Sequence, residues 1–135
     1  MSETAGRQQD GVKPLVLIVD DEPDIVEILG EQLAKAYRTA TASSGPEAIA
    51  QFHLERPDVV LLDINMPEMD GVHVQRELHA IDADVPVIML TSARDVNQLA
   101  TALKNGAFGY MPKPYDFVYL THVLAAALSQ RRRPR

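Results

Sequence analysis

Apolar residues fall along this chain in two kinds of block. LVLIV at 15–19, VVLL at 59–62 and VIML at 87–90 are short, unbroken apolar runs rich in β-branched residues. Runs of that length and composition read as strands buried on both faces. Residues 37–41 and FGYM at 108–111 add a weaker second strand and a fifth. Between these runs, apolar positions recur every three or four residues, the spacing of one helix face. Ile25, Ile28, Leu29 and Leu33 form the first such stripe, and Ala48, Ile49 and Phe52 the second. Val72, Val74 and Leu78 form the third; Val96, Leu99, Ala100 and Leu103 the fourth; Phe117, Leu120, Leu124 and Leu128 the last. Helix punctuation agrees: Pro23 and Asp24 suit a helix start, Ser44 an N-cap before Pro46, and Gly106 a C-cap. Strand followed by helix, five times over, predicts an α/β fold with a parallel sheet covered on both faces.

That expectation gives the polar residues at the strand ends a meaning. In open α/β sheets, sites form beyond the carboxyl ends of the strands. Asp20 and Asp21 follow the first run, Asp63 the third, Thr91 the fourth, and Lys113 the fifth. Taken singly, the acid pair reads as a turn and a helix cap, Asp63 as a loop cap, and Lys113 as a surface lysine. Taken together, they lie on one sheet edge. Successive strand residues point to opposite faces, so Asp20 and Asp21 share a site only if the chain leaves the sheet there, as Pro23 requires. Strand order is not readable from the sequence. If strands one and three are neighbours, about 4.8 Å apart, Asp63 stands beside the acidic pair. Three such carboxylates repel, and a hard divalent cation with oxygen ligands relieves them. A cation site, a lysine, a hydroxyl and a free carboxylate together suit phosphoryl chemistry, where the protein positions groups and neutralises charge. An aspartate can then serve as nucleophile.

Composition narrows the setting without changing it. The chain has 135 residues, 46% hydrophobic and 24% charged, and no cysteine, which suits one domain and excludes disulfides and thiol chemistry. No apolar run approaches the length of a membrane span and no secretion signal is evident, so a cytoplasmic protein with no membrane partner is expected. The final RRRPR carries +4 of a net charge of −6, leaving −10 on the other 130 residues. An acidic body does not attract nucleic-acid phosphates, and the arginines complement the dipole of a closing helix. The four histidines, His53, His73, His79 and His122, lack metal-ligand spacing. Residues 1–13 are expected to be a disordered arm, 14–130 the domain, and 131–135 a basic tail. The few residues after the last helix leave no room for a DNA-binding or enzymatic domain, so a stand-alone regulator and the front of a longer protein both stay open.

The segments VDDEPD, LLDINMPEMDG, LTS and GYMPKP, in this order, resemble the receiver domain of bacterial response regulators. The resemblance spans roughly residues 14–130. It implies a flavodoxin-like (βα)5 three-layer sandwich with a parallel five-stranded sheet of order 2-1-3-4-5. It further implies Asp63 as phosphoacceptor, and Mg²⁺ (or Mn²⁺) held by Asp20, Asp21, Asp63 and the Asn65 backbone carbonyl. Thr91, Ser92 and Lys113 would meet the phosphoryl group, Tyr110 would be the aromatic switch, and Pro114 would follow a cis peptide. Ser92 stands where alanine or glycine is usual, and Ala93 leaves that side uncrowded. The implied partners are a histidine kinase or phosphotransfer protein, then a downstream protein or second copy on the face of helix four, strand five and helix five. Arg94, Asp95, Gln98 and Tyr110 are candidates on that face. The domain would turn over no external metabolite and would not itself bind nucleic acid. Competing readings are a receiver fold used only for interaction, an aspartate-nucleophile phosphatase of the haloacid dehalogenase type, and a flavin binder. The second wants D-x-D after the first strand, where this chain has DD. The third wants a Ser/Thr/Gly-rich phosphate loop there.

Overall fold

The structure, a computed structural model, describes residues 12–67 and 70–131. Residues 1–11 of the expected arm (1–13), Glu68 and Met69 of the loop after the third strand, and the tail beyond Arg131 lie outside the described residues. Five strands alternate with five helices: β1 (Leu15–Val19), α1 (Pro23–Leu33), β2 (Arg38–Ala42), α2 (Gly45–Leu54), β3 (Val59–Asp63), α3 (Gly71–Ile81), β4 (Val87–Thr91), α4 (Val96–Lys104), β5 (Gly109–Pro112) and α5 (Phe117–Arg131). A 3₁₀ turn at Ala93–Asp95 leads into α4. All strand pairs are parallel, in the order β2-β1-β3-β4-β5. This is the flavodoxin-like arrangement that the resemblance implied.

The apolar runs are the sheet's centre. Every residue of β1, β3 and β4 is buried, whereas β2 and β5 are edge strands with exposed positions. Side-chain alternation splits each central strand between two cores. Leu17, Val19, Val60, Leu62 and Met89 pack with Phe52 of α2, Val74 and Leu78 of α3, and Ala102 of α4. Val16, Ile18, Leu61, Ile88 and Leu90 pack with Leu29 and Leu33 of α1 and Leu120 and Leu124 of α5. Two helices thus cover one face of the sheet and three the other.

Several helix stripes are narrower than periodicity suggests. Ile28 is 51% exposed, so α1 buries Leu29 and Leu33 and turns Ile28 outward. In α4, Val96 and Leu103 are exposed, as is Ala100, and the fully buried residue is Ala102. Phe117 is also partly exposed, at 37%. A helix lying on a sheet touches the core over a limited arc, so apolar residues flanking that arc stay in water.

Ser44 caps α2 as its position suggests, its Oγ accepting from the Glu47 amide at 3.2 Å. Ser44→Ala should lower stability by about 1 kcal/mol in a urea titration. An unchanged midpoint would show that the helix end does not depend on this bond.

Candidate functional site

The site lies where the central strands end. β1 stops at Val19, and the chain bends so that the Asp20 amide still donates to the Ala42 carbonyl at 3.1 Å, while the Glu22 amide turns back to Asp20 Oδ1 at 2.9 Å. That bend releases Asp20 and Asp21 from the opposite-face rule of a strand. β3 carries Asp63 beside them, because β1 and β3 are neighbours in register from Val16 and Val59 to Val19 and Leu62. Asp20, Asp21 and Asp63 each offer one carboxylate oxygen, and these three atoms lie within 4.8 Å of one another. Asp20 is wholly buried, Asp63 is 3% exposed, and Asp21 is more open.

Among the described residues, one cation faces this charge. Lys113 Nζ lies 3.6 Å from Asp63 Oδ1, 3.7 Å from Glu22 Oε1 and 3.9 Å from Asp20 Oδ2. These are ion-pair separations, longer than direct hydrogen bonds. Its backbone is fixed by the Lys113 amide donating to the Thr91 carbonyl at 2.7 Å. A single ammonium does not offset the carboxylates around it. Burial pushes Asp63 up to about 7; the Asn65 amide (donating to Asp63 Oδ1 at 3.2 Å) and Lys113 oppose this, and the Asp20 and Asp21 charges add to it. Burial also raises Asp20, against the Glu22 amide and Lys113. Asp20 Oδ2 is buried without a hydrogen-bond partner. A cluster of hard oxygen donors, short of positive charge and with an orphaned oxygen, fits a divalent cation such as Mg²⁺.

The other sequence candidates divide. Thr91 is buried at the end of β4, and Asn65 is exposed next to Asp63 in the loop. The Lys113–Pro114 peptide is cis. Tyr110 sits on β5, paired with Met89, and is 41% exposed. Ser92 is occupied locally: its amide and its Oγ both donate to Asp95 Oδ2, at 2.8 and 3.0 Å. The same contact draws Asp95 inward to 5% exposure. Asp95 is therefore removed from the surface face on which the sequence placed it, because a capping carboxylate must reach backbone donors at the turn. Arg94 is exposed and Gln98 half-buried.

Three contributors escaped the sequence reading. Glu22, next to the acid pair, is a further carboxylate on Lys113. Gly71 reads as part of a turn with Asp70. In the structure Asp70 is the N-cap of α3, its Oδ1 accepting from the His73 amide at 2.8 Å, and Gly71 begins the helix. The Gly71 amide donates to the Ile64 carbonyl at 2.9 Å, and a Cβ there would lie 2.5 Å from the Asp63 carbonyl oxygen. The loop after Asp63 is pinned at its start by buried Ile64 and Met66 and at its end by this close approach. The third is Tyr115, directly after Pro114, whose hydroxyl is buried at the site. An aromatic immediately after Lys-Pro was the only signal for it in the sequence.

The family model for the response regulator receiver domain matches residues 16–125. The chain belongs to that family. As a receiver domain it is a component of two-component systems. It is 50% identical over 105 residues to the "Probable transcriptional regulator ycf27" of Guillardia theta, covering 77% of this chain and 41% of that protein. It is 40% identical over 119 residues to "Transcriptional regulatory protein PrrA" of Mycobacterium tuberculosis, covering 87% and 51%. This receiver thus spans about half or less of the curated relatives it matches, whose names describe the longer proteins. Among solved structures, it resembles a response regulator receiver domain protein from Clostridium thermocellum with a TM-score of 0.84 and 30% identity, covering 88% of this chain and 97% of that one. Among the described residues, no helix is long and apolar enough to cross a membrane.

Proposed function

We propose that this receiver accepts a phosphoryl group on Asp63 from a histidine kinase or phosphotransfer protein and thereby switches a protein-binding face. The observation that carries the reading is the convergence of three carboxylates within 4.8 Å, with Lys113 3.6 Å from Asp63. Asp20, Asp21, Asp63 and the Asn65 carbonyl would hold Mg²⁺ or Mn²⁺. Such a cation offsets the charge of the carboxylates and of phosphoryl oxygens. A carboxylate oxygen of Asp63 attacks phosphorus, the bond from phosphorus to the donor nitrogen or oxygen breaks, and the donor leaves with the electron pair. The product is an aspartyl phosphate. Lys113 pairs with the added negative charge, and Thr91 offers its hydroxyl from the end of β4. Hydrolysis returns Asp63, so the domain acts on its own phosphoryl group rather than on a metabolite.

The same contacts supply a switch. Thr91, Ser92 and Tyr110 link the site to α4 and β5, where Val96, Leu103 and Tyr110 are exposed, as are Val118 and Tyr119 on α5. Exposed apolar groups on adjoining elements suit a downstream protein or a second copy. Phosphorylation biases two pre-existing arrangements of this face. The acidic body gives the receiver itself no field for nucleic acid. Transcriptional regulation is what the relatives' names give to longer proteins, and it is not assigned to this receiver. A cytoplasmic location follows from partnership with a kinase's phosphoryl-donating domain.

Incubation with Mg²⁺ and acetyl phosphate should yield a single base-labile phosphoryl adduct by intact mass, absent in Asp63→Asn. No adduct with any donor, the cognate kinase included, would sink the proposal and leave a non-phosphorylated interaction module.

A further inference from the structure

Two buried polar atoms at the site lack partners, and they belong to adjacent groups. Asp20 Oδ1 is held by the Glu22 amide at 2.9 Å, but Asp20 Oδ2 accepts nothing. Lys113 Nζ is 3.9 Å away, beyond hydrogen-bond reach. The Tyr115 hydroxyl is buried and likewise unpartnered. A phenol keeps its proton at neutral pH. Tyr115 follows by two residues Lys113, whose Nζ lies 3.9 Å from the same Asp20 Oδ2, and the phenol lies close enough to Asp20 to feel its charge. The hydroxyl is thus a neutral donor in a pocket of acceptors. Leaving both atoms unpaired costs desolvation on each side, which one hydrogen bond removes, and the second lone-pair site of Oδ2 stays open to the cation.

Building on the Mg²⁺-dependent reading above, we propose that Tyr115 is a positioning residue for the cation site, donating its hydroxyl hydrogen to Asp20 Oδ2 and fixing that carboxylate toward the ion. A neutral donor suits the task. A second lysine or arginine would orient Asp20 equally well but would neutralise the charge the cation needs. The phenol leaves the negative charge in place and removes only the carboxylate's rotational freedom. Outer partners of metal-binding carboxylates act in this way, and their loss commonly weakens binding by about 10–100-fold. Asp20 is the most deeply buried of the three acids, so solvent has little access to replace the missing donor.

The test is Mg²⁺ titration of the full chain followed by amide NMR shifts at Asp63 and Ile64. Parent protein, Tyr115→Phe, Asp20→Asn, the double variant, and the exposed-position control Tyr119→Phe are compared. Tyr115→Phe keeps the ring and its packing. It should raise the Mg²⁺ dissociation constant about tenfold while its thermal midpoint stays near the parent's. The control should match the parent. If Tyr115 acts through Asp20, removing the hydroxyl should add no further loss in the Asp20→Asn background. A slowly exchanging hydroxyl proton signal, present in the parent and lost in Tyr115→Phe, should accompany it. Unchanged Mg²⁺ affinity in Tyr115→Phe, or an equal loss with and without the Asp20 carboxylate, overturns the positioning role while leaving the phosphoacceptor reading intact. A parent protein that binds no Mg²⁺ overturns both.

Discussion

In the absence of divalent cations, Asp63→Asn should be more stable than the parent at pH 7.5, by about 2–4 kcal/mol. The sign follows from burial. Asp63 ordinarily loses its proton near 3.8, and in the folded protein it does so only at about 7. The folded state therefore holds this proton more tightly than the unfolded chain does. Stability from that proton is complete below the unfolded value and is lost as pH rises through about 7. Above that, the fold carries a buried anion next to Asp20 and Asp21. The gap of roughly three pH units corresponds to about 4 kcal/mol at most. The neighbouring acids titrate with Asp63, so this belongs to the cluster as a whole. Asp20, also raised by burial, shifts the balance in the same direction. Urea titrations in EDTA from pH 4 to 8 should thus show parent stability falling steeply across the range and Asp63→Asn falling less, through Asp20 alone, the two converging at the acid end. Added Mg²⁺ should restore the parent selectively at neutral pH. Parallel pH profiles for the two proteins would mean that Asp63 is adequately solvated or paired without a cation.

The second large effect is expected at Gly71, through sterics alone. A methyl there would sit 2.5 Å from the Asp63 carbonyl oxygen and 2.6 Å from Ile64 Cα. Both obstacles are backbone, in a segment held by the Ile64 amide bonding to the Leu90 carbonyl at 3.0 Å. Neither can give way cheaply, so either α3 or the Asp63 loop must move. Gly71→Ala should destabilise by about 2–3 kcal/mol. It should also slow phosphorylation at saturating Mg²⁺ more than the stability loss explains, because the shift reaches the backbone of the phosphoacceptor. Calorimetry and the mass assay read the two effects separately. A Gly71→Ala protein with parent stability and rate would show that the close approach relaxes freely.

Much of this protein is decided by one-dimensional pattern. Unbroken runs such as LVLIV can satisfy their burial only in the middle of a sheet, and the stripes behind Pro23, Ser44 and Asp70 can satisfy theirs only as helices on it. The strand-end positions of Asp20, Asp21, Asp63, Thr91 and Lys113 follow, since every strand of a parallel sheet ends on the same edge. Periodicity is weaker at the rim. Ile28, Val96 and Leu103 obey helical spacing and yet face water, because spacing identifies a stripe but not its width.

What the tertiary structure alone decides is anything that depends on distance between segments remote in sequence. Strand order brings Asp63 beside Asp20, and the reach of Lys113 makes it a shared partner 3.6–3.9 Å from three carboxylates. Burial raises Asp63 to about 7, which no local sequence feature announces. Asp95 turns inward to bind Ser92, although its polarity suggested a surface role. Gly71 is fixed by a carbonyl eight residues earlier rather than by its own turn. Tyr115 gains a purpose only when its hydroxyl is found buried beside an acid ninety-five residues away. Local pattern follows from each residue's own preference for water or burial. Charge balance and steric clearance are pairwise quantities, and they exist only once the chain has brought the pairs together.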